Sequence, residues 1–236
     1  MWFHVERTHG TTVAVFDLDG CLLSGDSTAH WVFQRLRRNP LRLLGALLWS
    51  LWAARAIRPL RTRTRATRGY LWLATVGRSE AALDTDLARF LEALRAGRTP
   101  LRPVPEALAR WGEHRHAGHR VVLISGTLTP VARAMADWFD ALSGYTGARA
   151  EAYGSDPMPY AGGWSVVVHR HSEAKSALLG SLGLESWDYA YSDSWDDAPL
   201  LRGARAPVLV RPSGRSERAA RAELGERVLV IAPRKR

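Results

Sequence analysis

Two carboxylates two residues apart close the apolar run Val13-Ala14-Val15-Phe16-Asp17-Leu18-Asp19-Gly20. Side chains alternate along a strand, so Asp17 and Asp19 project to one side if the strand continues through them. One such carboxylate can attack phosphorus and form an aspartyl-phosphate while the other handles protons. Asp17, at the strand end, is the expected nucleophile. Asp19 is expected to protonate the leaving oxygen and then to activate water. A carboxylate approaching an anionic phosphate is repelled by about 4 kcal/mol at ~4 Å and an effective dielectric near ~20. A divalent cation removes that obstacle by neutralising and positioning both partners. Asp193, Asp17 and the backbone carbonyl of Asp19 are hard oxygen donors suited to Mg²⁺, leaving room for water and a phosphate oxygen.

The remaining groups such a reaction needs follow in order. Leu123-Ile124-Ser125-Gly126-Thr127 reads as a second strand ending in a hydroxyl and a glycine. The Ser125 hydroxyl and the Gly126 amide can donate hydrogen bonds to phosphate oxygens. Lys175 and Lys235 are the only lysines in a chain with 33 lysines and arginines. A compact ammonium suits a phosphate, so Lys175 stands out. The segment Tyr189-Ala190-Tyr191-Ser192-Asp193-Ser194-Trp195-Asp196-Asp197 then brings Asp193 and, one helical turn on, Asp197, expected to orient Lys175 or a metal-bound water. Taken singly these are an Asp-Gly turn, a Ser-Gly turn, a solvated lysine and a helix cap. Their joint order along the chain favours phosphoryl transfer.

Those residues need strand ends to hold them. The pattern predicts strands at Thr12–Phe16, Arg120–Ile124, Asp188–Tyr191, Val208–Val210 and Val228–Ile231. It predicts helices at Thr28–Arg38, Leu41–Ile57, Thr62–Val76, Ser79–Ala96, Pro105–Ala117, Pro130–Asp140, Ser172–Leu182, Ala198–Arg202 and Glu217–Leu224. Arg149–Tyr153 and Ser165–His169 read as a hairpin pair around a turn-rich stretch. Strands alternating with helices imply a doubly wound, parallel-sheet (Rossmann-like) α/β core, with residues 27–118 as an inserted all-helical cap and residues 1–26 and 119–236 as the core. In such sheets ligands bind at the carboxyl ends of the strands, where Asp17, Asp19, Ser125, Gly126 and Asp193 fall, with Lys175 reaching the same rim from a helix.

At these residues the chain resembles the haloacid dehalogenase superfamily of phosphohydrolases, over nearly its whole length. Phe16-Asp17-Leu18-Asp19-Gly20 is similar to the first family motif, Ser125 to the second, Lys175 to the third and Asp193-Ser194-Trp195-Asp196-Asp197 to the fourth. The resemblance implies the same roles, with Mg²⁺ as cofactor and a phosphomonoester as substrate. Cys21 departs from the pattern, because the family usually has threonine there. The helical insertion after the first motif is similar to the type-one cap of the subfamily that includes phosphoserine phosphatase. Arg38-Asn39-Pro40-Leu41, Thr75-Val76-Gly77-Arg78-Ser79-Glu80-Ala81 and Tyr160-Ala161-Gly162-Gly163-Trp164 resemble segments of the phosphatidylglycerophosphatase C group. That likeness implies a glycerolipid headgroup phosphate as substrate and phosphatidylglycerol as product. The alternatives are a soluble small-molecule phosphatase, for example of phosphoserine, and a catalytically inactive module that binds anionic lipid. Asp26 stands where phosphoserine phosphatases carry a glutamate for the substrate amine, which weakens the first alternative. The full acidic set weakens the second.

The net charge of +10 points to a polyanionic partner. Leu43–Ala54 is apolar all round a helix, so it is either buried or in lipid. At ~18 Å it is too short to span a bilayer core of ~30 Å. Arg42 and Arg55 flank it, Arg58, Arg61, Arg63, Arg65 and Arg68 follow, and Trp49, Trp52, Tyr70 and Trp72 suit an interface. An anionic membrane surface is therefore the expected partner, and nucleic acid is not, because it has no use for the apolar helix. The single cysteine and the polar Met1–Thr12 suggest a cytoplasmic protein, peripheral or monotopic at the inner face of the membrane. His114, His116 and His119 invite a zinc reading, against the plainer one of histidines at a helix C-terminus.

Overall fold

The computed structural model describes residues 11–56, 60–166 and 173–231, without the side chains of residues 54–66. The core is a six-stranded sheet in the order β3-β2-β1-β6-β7-β8, with every pairing parallel. Its strands are β1 (Val13–Phe16), β2 (Arg120–Leu128), β3 (Glu151–Ser155), β6 (Trp187–Ser192), β7 (Ala204–Val210) and β8 (Leu229–Ile231). The chain leaves β1 for β2 and β3 on one side and returns to β6 on the other, so the strand order reverses at β1. That is where a doubly wound sheet opens a crevice.

Alternation along β1 sends its residues into two separate cores, as a sheet covered on both faces requires. Ala14 and Phe16 pack with Val121, Leu123, Met135 and Phe139 under α5 (Pro105–His116) and α6 (Thr129–Leu142). Val13 and Val15 pack with Ile124, Leu179, Leu200 and Ala220 under α7 (Glu173–Ser181), α8 (Ala198–Arg202) and α9 (Gly214–Leu224). Trp111 of α5 is fully buried and donates its indole N–H to Asp140 of α6 at 2.8 Å, where the Arg115 guanidinium also binds at 2.9 Å.

Between β1 and α5 lie four helices: α1 (Ser27–Arg37), α2 (Pro40–Ala56), α3 (Leu60–Thr75) and α4 (Glu80–Arg95). Asp26 caps α1 by accepting the Ala29 N–H at 2.8 Å, and Ser79 caps α4 through the Ala82 N–H. No described helix is long and apolar enough to cross a membrane. The helix expected to be buried all round or in lipid is one-sided in its packing. Ala46 and Ala53 of α2 are buried, whereas Leu41, Leu44, Leu47, Leu48, Leu51 and Trp52 are exposed.

The hairpin is not the pair expected from sequence. Residues 149–153 do not form one arm; β3 joins the main sheet, parallel to β2. The hairpin is β4 (Pro157–Tyr160) with β5 (Gly163–Val166), turning at Ala161-Gly162, both at positive φ. Pro157 and Pro159 make this stretch look like a loop. In the observed register they alternate with Met158 and Tyr160, so their missing N–H groups fall on the unpaired edge, where proline is tolerated. The hairpin docks on α3: the Trp164 N–H donates to Thr75 Oγ1 at 2.8 Å and the Trp72 indole N–H to the Ala161 carbonyl at 3.1 Å.

Candidate active site

Asp17 follows the last residue of β1, and its N–H continues the ladder to the Tyr191 carbonyl of β6 at 2.9 Å. The register sets Phe16 level with Leu123 and with Tyr191. Asp17 therefore emerges between the end of β6 and the stretch of β2 that holds Ser125. Here β2 is irregular: its register with β3 breaks between Ile124 and Leu128. Such a bulge frees the intervening backbone groups from the sheet, a common device beside a site. Ser125 is buried, and its Oγ accepts the Thr127 N–H at 3.2 Å.

Lys175 reaches in from α7, almost wholly buried, and binds two carboxylates at once. Its Nζ lies 2.8 Å from Asp17 Oδ1 and 2.7 Å from Asp197 Oδ2. Burial works against the charged ammonium, but Asp17 and Asp197 outweigh that, and Lys175 is held charged. Burial pushes Asp17 well above the usual carboxylate range; Lys175 opposes this and the neighbouring Asp197 adds to it. Ser192, at the end of β6, donates to Asp197 Oδ2 at 2.8 Å and accepts the Ser194 N–H at 3.3 Å. This serine escapes sequence reading, although a hydroxyl on the last residue of a strand was its signal.

The turn after β1 is tight. Cys21 and Leu23 both donate their N–H groups to the Leu18 carbonyl, and Gly20 sits at φ +85°, a conformation natural to glycine. Asp193 lies against Gly20, close enough that a Cβ there would meet its carboxylate. Asp19 Oδ1 accepts the Ser27 N–H at 2.9 Å. Burial, followed by the negative charge of Asp26, lifts Asp19 to about 7 despite that hydrogen bond. Cys21 is buried among Asp17, Asp193, Asp197 and Lys175; burial, then Asp17 and Asp193, push its thiol upward, so it keeps its proton and is no nucleophile.

The structure thus sets Lys175 in direct contact with Asp17 and Asp197, with Asp19 and Gly20 in the turn after β1, Asp193 just past β6 and Ser125 in the irregular stretch of β2. It also adds a hydroxyl cluster that no sequence pattern announces. Thr127 Oγ1 lies 2.8 Å from Ser27 Oγ and 2.7 Å from Thr28 Oγ1, tying β2 to the start of α1. The histidines at the end of α5 lie elsewhere. His114 packs on Phe16 and Tyr189, hydrogen-bonds the Tyr191 hydroxyl at 2.9 Å and shares a hydrogen bond with His119 at 2.7 Å. His116 bonds the Ser143 carbonyl instead. His169 and His171 lie outside the described residues.

Comparison with known structures places nearly all of the chain in one fold group. A structure of a protein of unknown function from Bordetella pertussis Tohama I is 22% identical, with a TM-score of 0.62 over 94% of this chain and 99% of the other. A HAD family hydrolase from Salmonella enterica serovar Typhi is 15% identical, with a TM-score of 0.56 over 93% of this chain and 67% of that one. A phospho-aspartyl intermediate analogue of phosphoserine phosphatase is 12% identical, with a TM-score of 0.58 over 96% of each chain. At these identities the likeness is one of fold. The sequence itself matches the model of the haloacid dehalogenase-like hydrolases across residues 14–202, from β1 through α8. A match of that extent means that the chain belongs to the haloacid dehalogenase-like hydrolase family.

Proposed function

We propose that this protein is a phosphomonoester hydrolase that works through an aspartyl-phosphate on Asp17. The observation that carries this reading is the buried Lys175, clasped between Asp17 and Asp197 at the point where the strand order reverses. Asp17 attacks phosphorus. Asp19, lifted to about 7, gives its proton to the departing oxygen, then takes one from the water that attacks the aspartyl-phosphate and frees Asp17. Lys175, the Ser125 hydroxyl and the Gly126 amide offset the charge on the phosphate oxygens.

Three carboxyl groups, Asp17, Asp193 and Asp197, stand near one lysine, so the site holds more acidic groups than cations, and Asp197 adds to the upward push on Asp17. Among the described residues no three acidic, histidine or cysteine side chains form a ready metal cage. Magnesium does not ask for one, since it binds through one or two carboxylates, water and substrate oxygens. The donors at hand, Asp17, Asp193 and the Asp19 carbonyl, fit it. Bound there, Mg²⁺ supplies the charge neutralisation that lets an anionic nucleophile meet an anionic ester.

For the substrate we favour a phosphate on a glycerolipid headgroup, as in phosphatidylglycerophosphate, met at an anionic membrane surface on the cytoplasmic side. The Asp26 carboxylate, where an amine-recognising glutamate would stand, is spent on capping α1. The second reading, a soluble ester such as phosphoserine, is favoured by the phosphoserine phosphatases among the fold neighbours. Phosphate release from phosphatidylglycerophosphate in mixed micelles, set beside phosphoserine and other soluble monoesters, decides between them. Asp17→Asn and chelation of divalent cations should each abolish release. Undiminished turnover in Asp17→Asn would remove Asp17 as nucleophile, and no turnover on any monoester would leave the catalytically inactive lipid-binding reading.

A further inference from the structure

Between Ser27 and Ser79 the chain carries eleven arginines, no lysine and neither aspartate nor glutamate. The formal charge of this stretch, +11, exceeds the +10 of the entire protein, so all other residues together are near neutrality. The basic surplus is therefore not a general arginine bias. It is gathered in the segment of sequence that includes α1, α2 and α3, where Arg35 and Arg78 pair with Asp86 of α4 and the other arginines have no acidic residue in the segment.

Within that stretch α2 is held by one side only. Ala46 and Ala53 are buried, and the Ser50 hydroxyl pairs with Tyr70 of α3 at 2.8 Å. The Arg42 guanidinium caps the end of α3 by donating to the carbonyls of Ala74 and Val76. On the other side Leu41, Leu44, Leu48 and Leu51 recur at helical spacing, flanked by Leu47 and Trp52, each between 49% and 77% exposed. Six large apolar side chains on one face form a patch of the kind that marks an interaction surface.

Charge decides what covers it. A second copy of the chain would bring two stretches of +11 together. A nucleic acid would satisfy the arginines and leave the leucines in water. A lipid surface with anionic headgroups takes both at once: leucines and Trp52 in the acyl boundary, arginines at the phosphates. We infer that the Leu41–Trp52 face of α2 seats the protein on anionic lipid, with α2 lying in the plane of the surface. This deepens the lipid-phosphate reading of the active site and rests on it for its purpose, but the binding needs no turnover to be measured.

The experiment is co-flotation of the full chain with phosphatidylcholine vesicles, with and without phosphatidylglycerol, at low and high salt. The wild type should float with the phosphatidylglycerol vesicles and do so less at high salt, which screens the arginines. Combined Leu44→Glu, Leu48→Glu and Leu51→Glu should weaken that binding by more than about tenfold. The combined alanine variant should give an intermediate loss. Both should keep wild-type melting and hydrolysis of p-nitrophenyl phosphate, a soluble ester that never meets the surface. Wild type that stays out of the anionic fraction at low salt would overturn the inference, as would glutamate variants that still float. So would light scattering that shows a dimer which the glutamates dissolve. Vesicle binding without hydrolysis of any ester would leave α2's role standing and sink the phosphatase reading. Hydrolysis of soluble esters without vesicle binding would do the reverse.

Discussion

The carboxylate of Asp193 fills the space where a side chain on Gly20 would begin. A Cβ built there would lie 2.4 Å from Asp193 Oδ2 and 2.5 Å from its Cγ. Gly20 also sits at φ +85°, which costs an L-residue roughly 1–2 kcal/mol. Gly20→Ala should therefore push Asp193 aside and strain the turn. Displacing a reacting group by about 1 Å can cost on the order of 10²-fold in rate. We expect kcat to fall by that order and the Mg²⁺ requirement to rise, with a stability loss limited to ~2 kcal/mol by urea denaturation. An alanine variant with wild-type Mg²⁺ dependence would show that Asp193 has no part in holding the ion.

Lys175 answers for two buried carboxylates, and its loss should be felt in folding as well as catalysis. Lys175→Met leaves Asp17 and Asp197 facing each other without their cation. Breaking a buried pair in this way typically costs about 3–5 kcal/mol. Adding Asp197→Asn removes one of the stranded charges, so the double variant should regain much of the stability and none of the activity. Urea midpoints of the single and double variants measure the coupling. Strict additivity would mean that the two side chains do not share the interaction the 2.7 Å contact indicates.

What the sequence reveals of this site is what period and order can carry. β1 stops at Phe16, so Asp17 follows the strand end as expected, whereas Asp19 lies in the tight turn and not on a continued strand whose alternation would align it with Asp17. The order of four segments places Ser125, Lys175 and Asp193 on one rim. The same logic misses contacts between distant hydroxyls. Thr127 and Ser27 are 100 residues apart, and neither has a periodic or compositional mark. α2 fails for another reason: apolar all round, it has no pattern to say which face packs, and its contacts with α3, such as Ser50 with Tyr70 and Gly45 with Leu73, show which one does. The hairpin fails because proline announces turns more loudly than it announces an edge strand. Of the arginines in and after α2, Arg55, Arg58, Arg61, Arg63 and Arg65 lie outside the described side chains.

His114 should make the protein acid-labile. Burial first, then His119 and Arg110, lower it from 6.5 to about 3. A histidine with a depressed native value takes up its proton in the unfolded chain first as the pH falls. Its contribution is therefore intact above pH ~6.5 and is lost progressively toward pH ~3. The slope is at most about 1.4 kcal/mol per pH unit from this one group. His114→Gln should be less stable at pH ~7.5, having lost the Tyr191 and His119 hydrogen bonds, yet should show a flatter decline between pH ~6.5 and ~4. Urea midpoints across that range compare the two proteins. Parallel curves would mean that His114 does not stay neutral in the fold.

Thr127 gives a test of how α1 is registered on the turn after β1. Its hydroxyl is shared with Ser27 and Thr28, and the Ser27 N–H holds Asp19 Oδ1 at 2.9 Å. Valine matches threonine in shape but strands two hydroxyls, of which Ser27's is fully buried, at a cost of about 1–3 kcal/mol. If the hydroxyls do no more than hold the fold together, Thr127→Val loses stability alone. If they aim the first turn of α1 at Asp19, kcat should also fall by about tenfold or more while KM stays near its wild-type value, because the proton step and not substrate capture is disturbed. Thr127→Ser keeps the oxygen and should restore most of the rate. The loss should also shrink for p-nitrophenyl phosphate, whose leaving group needs little help from a proton donor. A Thr127→Val enzyme as slow on that ester as on an alkyl phosphate would place the fault in phosphate binding at Ser125, whose Oγ bonds the Thr127 N–H, and not in Asp19.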